Sequence, residues 1–195
     1  MSKVIDELLI RSNGIFTAGQ AALCGVSKTS LSAYAGRGVI RRVAQGIYAA
    51  PDRVIDDMYL LRLRTGKGVF SHDTALFLNG LSDRTPFRHC LTLPDTQTLA
   101  RGIRDEVNCY YVRPELYSLG IIERKTTFGN TVLCYDPERT ICDLFCSRRR
   151  TDEETLIACI KNYAAYQGKD LHRLAEYAGR LRVSGLIRPY LEVLL

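Results

Sequence analysis

Residues 14–48 read GIFTAGQAALCGVSKTSLSAYAGRGVIRRVAQGIY, and this stretch decides how the N-terminal part of the chain folds. Thr17 and Gln20 have the spacing of a capping box, in which both side chains satisfy free backbone groups at a helix start. Gly25-Val26 then predicts a turn, and Ser27 is a good N-cap for a further helix that ends near Gly36. Two helices joined by a short turn that contains Gly are typical of a helix-turn-helix.

A β-hairpin is predicted directly after these helices. Val39–Val43 is a β-rich run, Ala44-Gln45-Gly46 can reverse the chain, and Ile47–Ala49 can return it. A hairpin in this position is a wing, so the order of the elements predicts a winged helix-turn-helix that binds DNA. The alternative is a small hairpin that only closes the core of the domain.

The limits of this domain follow from its flanking residues. Apolar residues within Val4–Leu9 recur at helical spacing, with Ser2 as N-cap, and Asn13-Gly14 predicts the end of that first helix. Pro51 interrupts the last wing strand. We therefore predict a winged helix-turn-helix domain over residues 1–51 and a C-terminal domain over residues 52–195.

The candidate DNA-binding residues lie on the second helix of the motif and on the wing. Leu31 and Ala35 share one face of that helix and are predicted to pack inward, so the opposite face is small and polar, as suits a major groove. Hydroxyls there can contact phosphates or base edges, and the cations can contact phosphates. Consecutive arginines in a strand face opposite sides, so at least one should face DNA. The alternative is a solvated surface helix. The predicted site comprises Lys28, Thr29, Ser30, Ser32, Ala33, Arg37, Arg41, Arg42 and Gln45.

Charge is concentrated in the same region. The 195 residues carry 27 basic and 21 acidic side chains, a net charge of +6. Residues 1–50 hold six basic and two acidic residues, a net +4, which leaves 21 basic and 19 acidic residues, a net +2, for the rest. A local basic excess is the usual electrostatic signature of phosphate binding, although it also increases solubility.

Composition predicts a globular, cytoplasmic protein. Apolar residues make up 46% of the chain, and the sequence contains no apolar run long enough for a membrane span and no secretory signal. The odd number of seven cysteines, in a chain that is not small and has no secretory signal, favours a reducing compartment over a disulfide framework. Because no Cys-x-x-Cys pair occurs, small buried thiols are favoured over a metal site. Neither a metal nor a cofactor is predicted.

The C-terminal region is predicted to be a mixed α/β domain with a small sheet and a helical end, which makes the whole chain α+β. The expected strands are residues 90–93, 107–112, 121–126 and 131–135, and helices dominate from Pro137.

Little in this region indicates catalysis. His72-Asp73, His89 and His172 are the acid–base candidates, but no nucleophile elbow, phosphate loop or zinc-protease motif accompanies them. We therefore predict that the chain is not an enzyme. Arg139 and Asp143 have the spacing of a structural ion pair on a helix. Arg148-Arg149-Arg150 either extends a nucleic-acid footprint or is a cationic helix end in solvent.

Three groups of segments resemble the AbiEi family, the antitoxins of type IV AbiE toxin–antitoxin systems linked to phage abortive infection. In the N-terminal part these are Gly14–Thr17, Gly25–Ser27 and Arg37–Tyr48. Further along they are Ser71–Leu76 with Gly80–Asp83, and Asp136–Leu144.

The resemblance implies an autoregulated antitoxin. The winged helix would bind inverted repeats of double-stranded DNA upstream of its own operon and repress transcription. The C-terminal domain would counteract a nucleotidyltransferase toxin without forming a stable complex with it. We expect a monomer in solution that can bind repeated sites cooperatively. The alternatives are a regulator whose C-terminal domain senses a small ligand, and a C-terminal enzyme that acts on RNA or nucleotides.

Overall fold

The chain divides into two units, one ending at Arg64 and the other beginning at Thr65. The computed structural model describes residues 3–194. Residues 52–64 therefore group with the N-terminal unit, whereas the functional boundary at Pro51 remains a prediction. The predicted cap Ser2 lies outside the described residues.

The N-terminal unit is a three-stranded antiparallel sheet with helices on its two faces. The sheet order is β1-β3-β2. Ile5, Phe16, Leu31 and Tyr48 are central members of the apolar cluster formed by the first three helices and one sheet face. The elements are α1 (Lys3–Arg11), β1 (Ile15–Thr17), α2 (Ala18–Leu23), α3 (Lys28–Gly36), β2 (Arg41–Ala44), β3 (Ile47–Ala49) and α4 (Asp57–Thr65).

The other face of this sheet is covered by α4. Ile15, Ile47 and Ala49 are buried there, and Tyr59 and Leu63 of α4 pack against them. The predicted helices and wing are thus present, and Ile15-Phe16 belongs to a third strand that the apolar pair alone did not indicate. Burial on both faces explains why the central strand β3 consists entirely of apolar residues.

The wing strand begins at Arg41, two residues later than predicted. Gly38 has a φ of 72°, and the N–H of Val39 donates to the carbonyl of Tyr34 at 3.0 Å. Such a bond back into the helix is typical of a Schellman end. Val39 and Ile40 therefore follow the end of α3 and pack against the core, although their β-branched side chains favour a strand.

The C-terminal unit is built on a five-stranded mixed sheet. Its strand order is β6-β5-β4-β8-β7, in which β4/β8 and β5/β6 are parallel and the other two pairs are antiparallel. Four helices follow the last strand, and α8 lies in a large apolar cluster with α9, α10 and α11. The elements are β4 (Val69–Phe70), α5 (His72–Leu78), β5 (Cys90–Pro94), α6 (Arg101–Arg104), β6 (Asn108–Val112), α7 (Pro114–Tyr117), β7 (Ile121–Lys125), β8 (Thr131–Tyr135), α8 (Pro137–Cys146), α9 (Glu153–Ala165), α10 (Leu171–Arg180) and α11 (Ser184–Leu194).

The predicted fold class is confirmed: the chain is α+β, with a winged helix-turn-helix followed by a mixed unit with a helical end. The short helices α6 and α7 were not predicted. Within residues 3–194 no helix combines the length and apolarity that a membrane span requires.

Candidate nucleic-acid interface

The position of α3 is fixed at its start by its cap and in its middle by one buried side chain. The Ser27 hydroxyl accepts a hydrogen bond from the Ser30 N–H at 3.1 Å, as the sequence predicted. The preceding turn places Gly25 at a φ of 77°, where a side chain would be strained, and buries Val26. Leu31 is fully buried and anchors the helix to the core.

The face of α3 opposite Leu31 is exposed and uncharged. Thr29, Ser32 and Ala33 are exposed, and Lys28 is exposed at the start of the helix. Ser30 is only half-buried, and its hydroxyl lies 2.9 Å from that of Ser27. The structure thus presents four of the predicted contacts to solvent and uses Ser30 mainly to complete the helix cap.

Arg37 closes the other end of α3. Its Nε donates to the Ala33 carbonyl at 3.3 Å, and its guanidinium lies 5.5 Å from the centre of the Tyr34 ring. A cation near the free carbonyls of a helix end is stabilising, so Arg37 has a structural role there. It is also exposed and adds positive charge beside the polar face of α3.

The two arginines of the wing lie on opposite faces of the sheet. Arg41 pairs with Ala49, on the face that α4 covers, and its guanidinium donates to the Arg53 carbonyl at 3.1 Å. Arg42 pairs with Tyr48, which belongs to the cluster formed with α1, α2 and α3. Because directly paired residues share a face, exposed Arg42 projects on the side of the sheet that carries α3.

The tip of the wing is a short turn that is hydrogen-bonded to the start of α2. Gln45 is exposed there, and Gly46 adopts a φ of 69° that completes the turn. The Gly46 carbonyl accepts a hydrogen bond of 2.7 Å from the N–H of Ala18, the first residue of α2. This bond fixes the tip relative to the helix-turn-helix.

The helix-turn-helix and the wing themselves carry no negative side chain. Between Glu7 and Asp52 the sequence contains five basic residues and no acidic one. The net charge of this segment is therefore +5. A segment of this charge can attract and hold a phosphate backbone while the small side chains of α3 approach the bases.

His72, the first acid–base candidate of the C-terminal unit, lies in the core. His72 is buried, and its Nδ1 lies 2.9 Å from the Ser71 hydroxyl, which Thr92 also contacts. Burial lowers the pKa of His72 to about 3, and its ring stacks on Tyr110 at a centroid distance of 3.5 Å. His72 is therefore a neutral core side chain, and Ser71 occupies the cap position of α5 without a side-chain cap bond.

The ion pair predicted on α8 is present and buried. Arg139 Nε lies 2.8 Å from Asp143 Oδ1, with both side chains almost completely inaccessible. Arg139 also donates to the carbonyls of Leu116 and Leu119 and lies over the Tyr135 ring. The pair therefore joins α8 to the segment before β7, and its role is structural.

The arginine run and the cysteines also have defined positions. Arg148, Arg149 and Arg150 are exposed beyond the end of α8, and Arg150 lies 4.4 Å from the centre of the Tyr110 ring. All seven cysteines are free; Cys24 and Cys146 are exposed, and Cys109 is partly exposed. The described residues contain no group of three or more side chains arranged to hold a metal ion.

One feature of the C-terminal unit was missed. A cavity of about 390 Å³ is lined by residues that include Arg84, Phe87 and Arg88. The available signal was one aromatic residue, Phe87, between two arginines at positions 84 and 88, and this segment contains no catalytic motif.

Comparison with known proteins supports the N-terminal part of this description. Residues 3–51 match the model of a family described as a transcriptional regulator, AbiEi antitoxin, which confirms the resemblance for that segment. A similar solved structure is the crystal structure of the RV2827C protein from Mycobacterium tuberculosis, with a TM-score of 0.59 and 15% identity over 91% of this chain and 71% of that one. At this identity the likeness concerns the fold alone. No curated protein matches the chain.

Proposed function

We propose that this chain is a DNA-binding antitoxin that represses its own operon and counteracts a nucleotidyltransferase toxin through its C-terminal unit. The observation that carries the DNA-binding half is the polar, acid-free face of α3 beside Arg42. This face lies within the segment that matches the antitoxin regulator family.

In this proposal α3 enters the major groove of double-stranded DNA. Ala33 and Gly36 are small enough for the helix to approach the base edges, which Thr29 and Ser32 can contact by hydrogen bonds. Lys28 and Arg37 bind phosphates on either side of the groove, since both are exposed at the two ends of α3. These contacts give both affinity and sequence preference.

The wing supplies the remaining contacts. Arg42 binds a phosphate, and Gln45 at the tip reaches the adjacent minor groove. Arg41 belongs to the predicted site, but we assign it a supporting role because its guanidinium is bound to the Arg53 carbonyl. One such motif covers a small site, so two molecules on inverted repeats provide the full specificity.

The test is a binding titration of the full chain in about 150 mM salt, with DNA from upstream of its gene and scrambled DNA of equal length. A preference of about a thousandfold or more for the upstream DNA is expected of a specific regulator. Equal affinity for the two DNAs would contradict autoregulation and leave only phosphate attraction.

A single substitution tests the role of α3. Ala33→Glu places a carboxylate on the exposed surface that is proposed to face the groove. It should abolish the preference for the upstream DNA, because the carboxylate repels the phosphates and is costly to desolvate. The matched control is Ala165→Glu, at the exposed end of α9 in the other unit. Unchanged operator binding by Ala33→Glu would contradict the proposed groove contact.

The antitoxin half is tested separately by co-expression with the nucleotidyltransferase encoded beside this gene. We expect Ala33→Glu to derepress the promoter and still protect cells from the toxin, because the two activities belong to different units. Loss of protection in a properly folded Ala33→Glu protein would contradict that division. Size-exclusion chromatography of the two proteins together should show no stable complex.

A further inference from the structure

The cavity of the C-terminal unit lies outside the proposed DNA-binding surface. Its volume of about 390 Å³ is within the range of about 300–1,000 Å³ that small-ligand sites occupy. Its walls come from α5, the loop before β5, the start of β6 and the start of α9, which contribute Asp73, Phe87, Asn108 and Thr155 among others. The residues that line it all belong to the C-terminal unit.

The loop before β5 carries an unusual group of side chains. The side chain of Phe87 is fully exposed, at 101% of its reference area. Phe87 lies between Arg84 and Arg88 in the sequence, and all three residues line the cavity. A large aromatic ring held entirely in water loses the benefit of burial, which a flat ligand stacked on it would restore.

Two arginines, Arg84 and Arg88, line the cavity with this ring, and Arg84 also interacts electrostatically with Asp152. Within residues 3–194, no carboxylate lies within ion-pair distance of Arg84, Arg88 or Arg150. Arg150 lies over the ring of Tyr110, and Tyr110 shares one face of β6 with Asn108 of the cavity because strand side chains alternate. Arg150 does not line the cavity, so the cations of its wall are Arg84 and Arg88.

The deeper lining can form hydrogen bonds. Asn108 supplies an amide and Asp73 a carboxyl group that can accept from a sugar hydroxyl or an amino group of a base, whereas the Thr155 hydroxyl already donates to Asp152 at 2.8 Å. Asp73 would repel a phosphate, so the phosphate belongs on the side of Arg84 and Arg88. The arrangement matches the three parts of a nucleotide, namely an aromatic base, a sugar and an anion.

We propose that this cavity binds an unpaired nucleotide of a single-stranded nucleic acid, with the base stacked on Phe87 and the phosphates held by Arg84 and Arg88. Exposed aromatic side chains combined with arginines are the usual means of binding single strands, since every base has a face to stack. RNA and DNA share this chemistry, and the experiment separates them.

The test uses the full chain and fluorescein-labelled single strands of about eight nucleotides, in RNA and DNA versions, at salt concentrations between about 50 and 200 mM. A saturating amount of the duplex operator is present, so that the winged helix is occupied. Fluorescence anisotropy should show binding of at least one of the two strands. The strand that binds more tightly shows whether the cavity prefers RNA or DNA.

Phe87→Ala should weaken this binding by about 5- to 150-fold, the effect expected for one lost stacking contact, and Phe87→Trp should restore it. The Arg84→Ala/Arg88→Ala variant should reduce the slope of log affinity against log salt by about 1.4, because each lost phosphate contact on a single strand contributes about 0.7. Neither change removes a buried side chain.

Matched controls exist at the other edge of the sheet and on exposed helices. Phe128→Ala removes an exposed aromatic ring from the β7–β8 turn, at the edge opposite β6. Arg113→Ala/Arg188→Ala removes two exposed arginines, one of them at the far end of β6 from Asn108. Absence of binding to both strands by the wild type would overturn the proposal, as would losses at Phe87 or at the arginine pair no larger than those of the controls.

Discussion

The opposite orientations of Arg41 and Arg42 give a sharp test of the wing. The two arginines are neighbours on one exposed strand and have the same charge, so any nonspecific effect of charge removal is equal for both. They differ in their surroundings: the guanidinium of Arg41 is 3.1 Å from the Arg53 carbonyl, whereas Arg42 lies on the face that carries α3. Only Arg42→Ala should change how binding depends on salt.

The magnitude follows from counterion release. One phosphate contact on duplex DNA contributes about 0.9 to the slope of log affinity against log salt. Between about 50 and 200 mM salt, a fourfold change, that contact changes the affinity by about 3.5-fold. The ratio of wild-type to Arg42→Ala affinity should therefore fall by about 3.5-fold across this range for one bound molecule, and by roughly its square for two molecules on inverted repeats.

Fluorescence anisotropy with the upstream duplex, at four salt concentrations, measures both slopes. Arg41→Ala should keep the wild-type slope and lower the free energy of unfolding by about 0.5–1.5 kcal/mol, the usual contribution of one hydrogen bond. Equal slope changes in the two variants, or a change confined to Arg41→Ala, would refute the assignment of faces. If both variants kept the wild-type slope, neither arginine of the wing would contact a DNA phosphate.

Four further expectations concern stability, measured by urea denaturation. Thr17→Ala removes the capping box of α2 and should cost about 1 kcal/mol, and no change in the midpoint would contradict that contact. Arg139→Met leaves Asp143 buried without its cation and should cost about 3–5 kcal/mol, and a smaller loss than that of Thr17→Ala would be inconsistent with this role. Gly120→Ala should cost at least about 1–2 kcal/mol, because its φ is 79° and a Cβ would lie 2.8 Å from that of Arg139; a neutral effect would show that the backbone relaxes. Burial raises the pKa of Asp143 to about 6, so the stability linked to its proton is present at low pH and is lost as pH rises through that value. Relative to Asp143→Asn, the wild type should therefore lose on the order of 3 kcal/mol of unfolding free energy between about pH 4 and pH 7. A stability difference between the two proteins that does not depend on pH would contradict the shift.

The N-terminal unit was predictable because its signals are local. The capping box of Thr17 and Gln20 and the cap at Ser27 act over three residues, and the structure contains the predicted bonds. The predicted start of the wing strand was wrong because α3 closes with hydrogen bonds from the N–H groups of Gly38 and Val39 to earlier carbonyls of the helix. These bonds outweigh the β preference of Val39 and Ile40. The sides on which Arg41 and Arg42 lie depend on the strand register, which pairs residues distant in sequence.

The cavity of the C-terminal unit was not predictable, for a related reason. Its walls combine Asp73, Phe87, Asn108 and Thr155, which are separated by up to 82 residues and meet only because β5 and β6 pair in parallel beside α5 and α9. The sequence alone indicates that Phe87 lies between two arginines, but it could not show that the ring is exposed. A helix-turn-helix carries its function on one helix and can be recognised from a short stretch, whereas a site assembled from four separate elements requires the topology. The sequence predicts one candidate surface, the proposed DNA-binding face of α3, and only the fold brings together the second, the cavity; substitutions at Ala33 and at Phe87 can separate them because the two residues belong to different units.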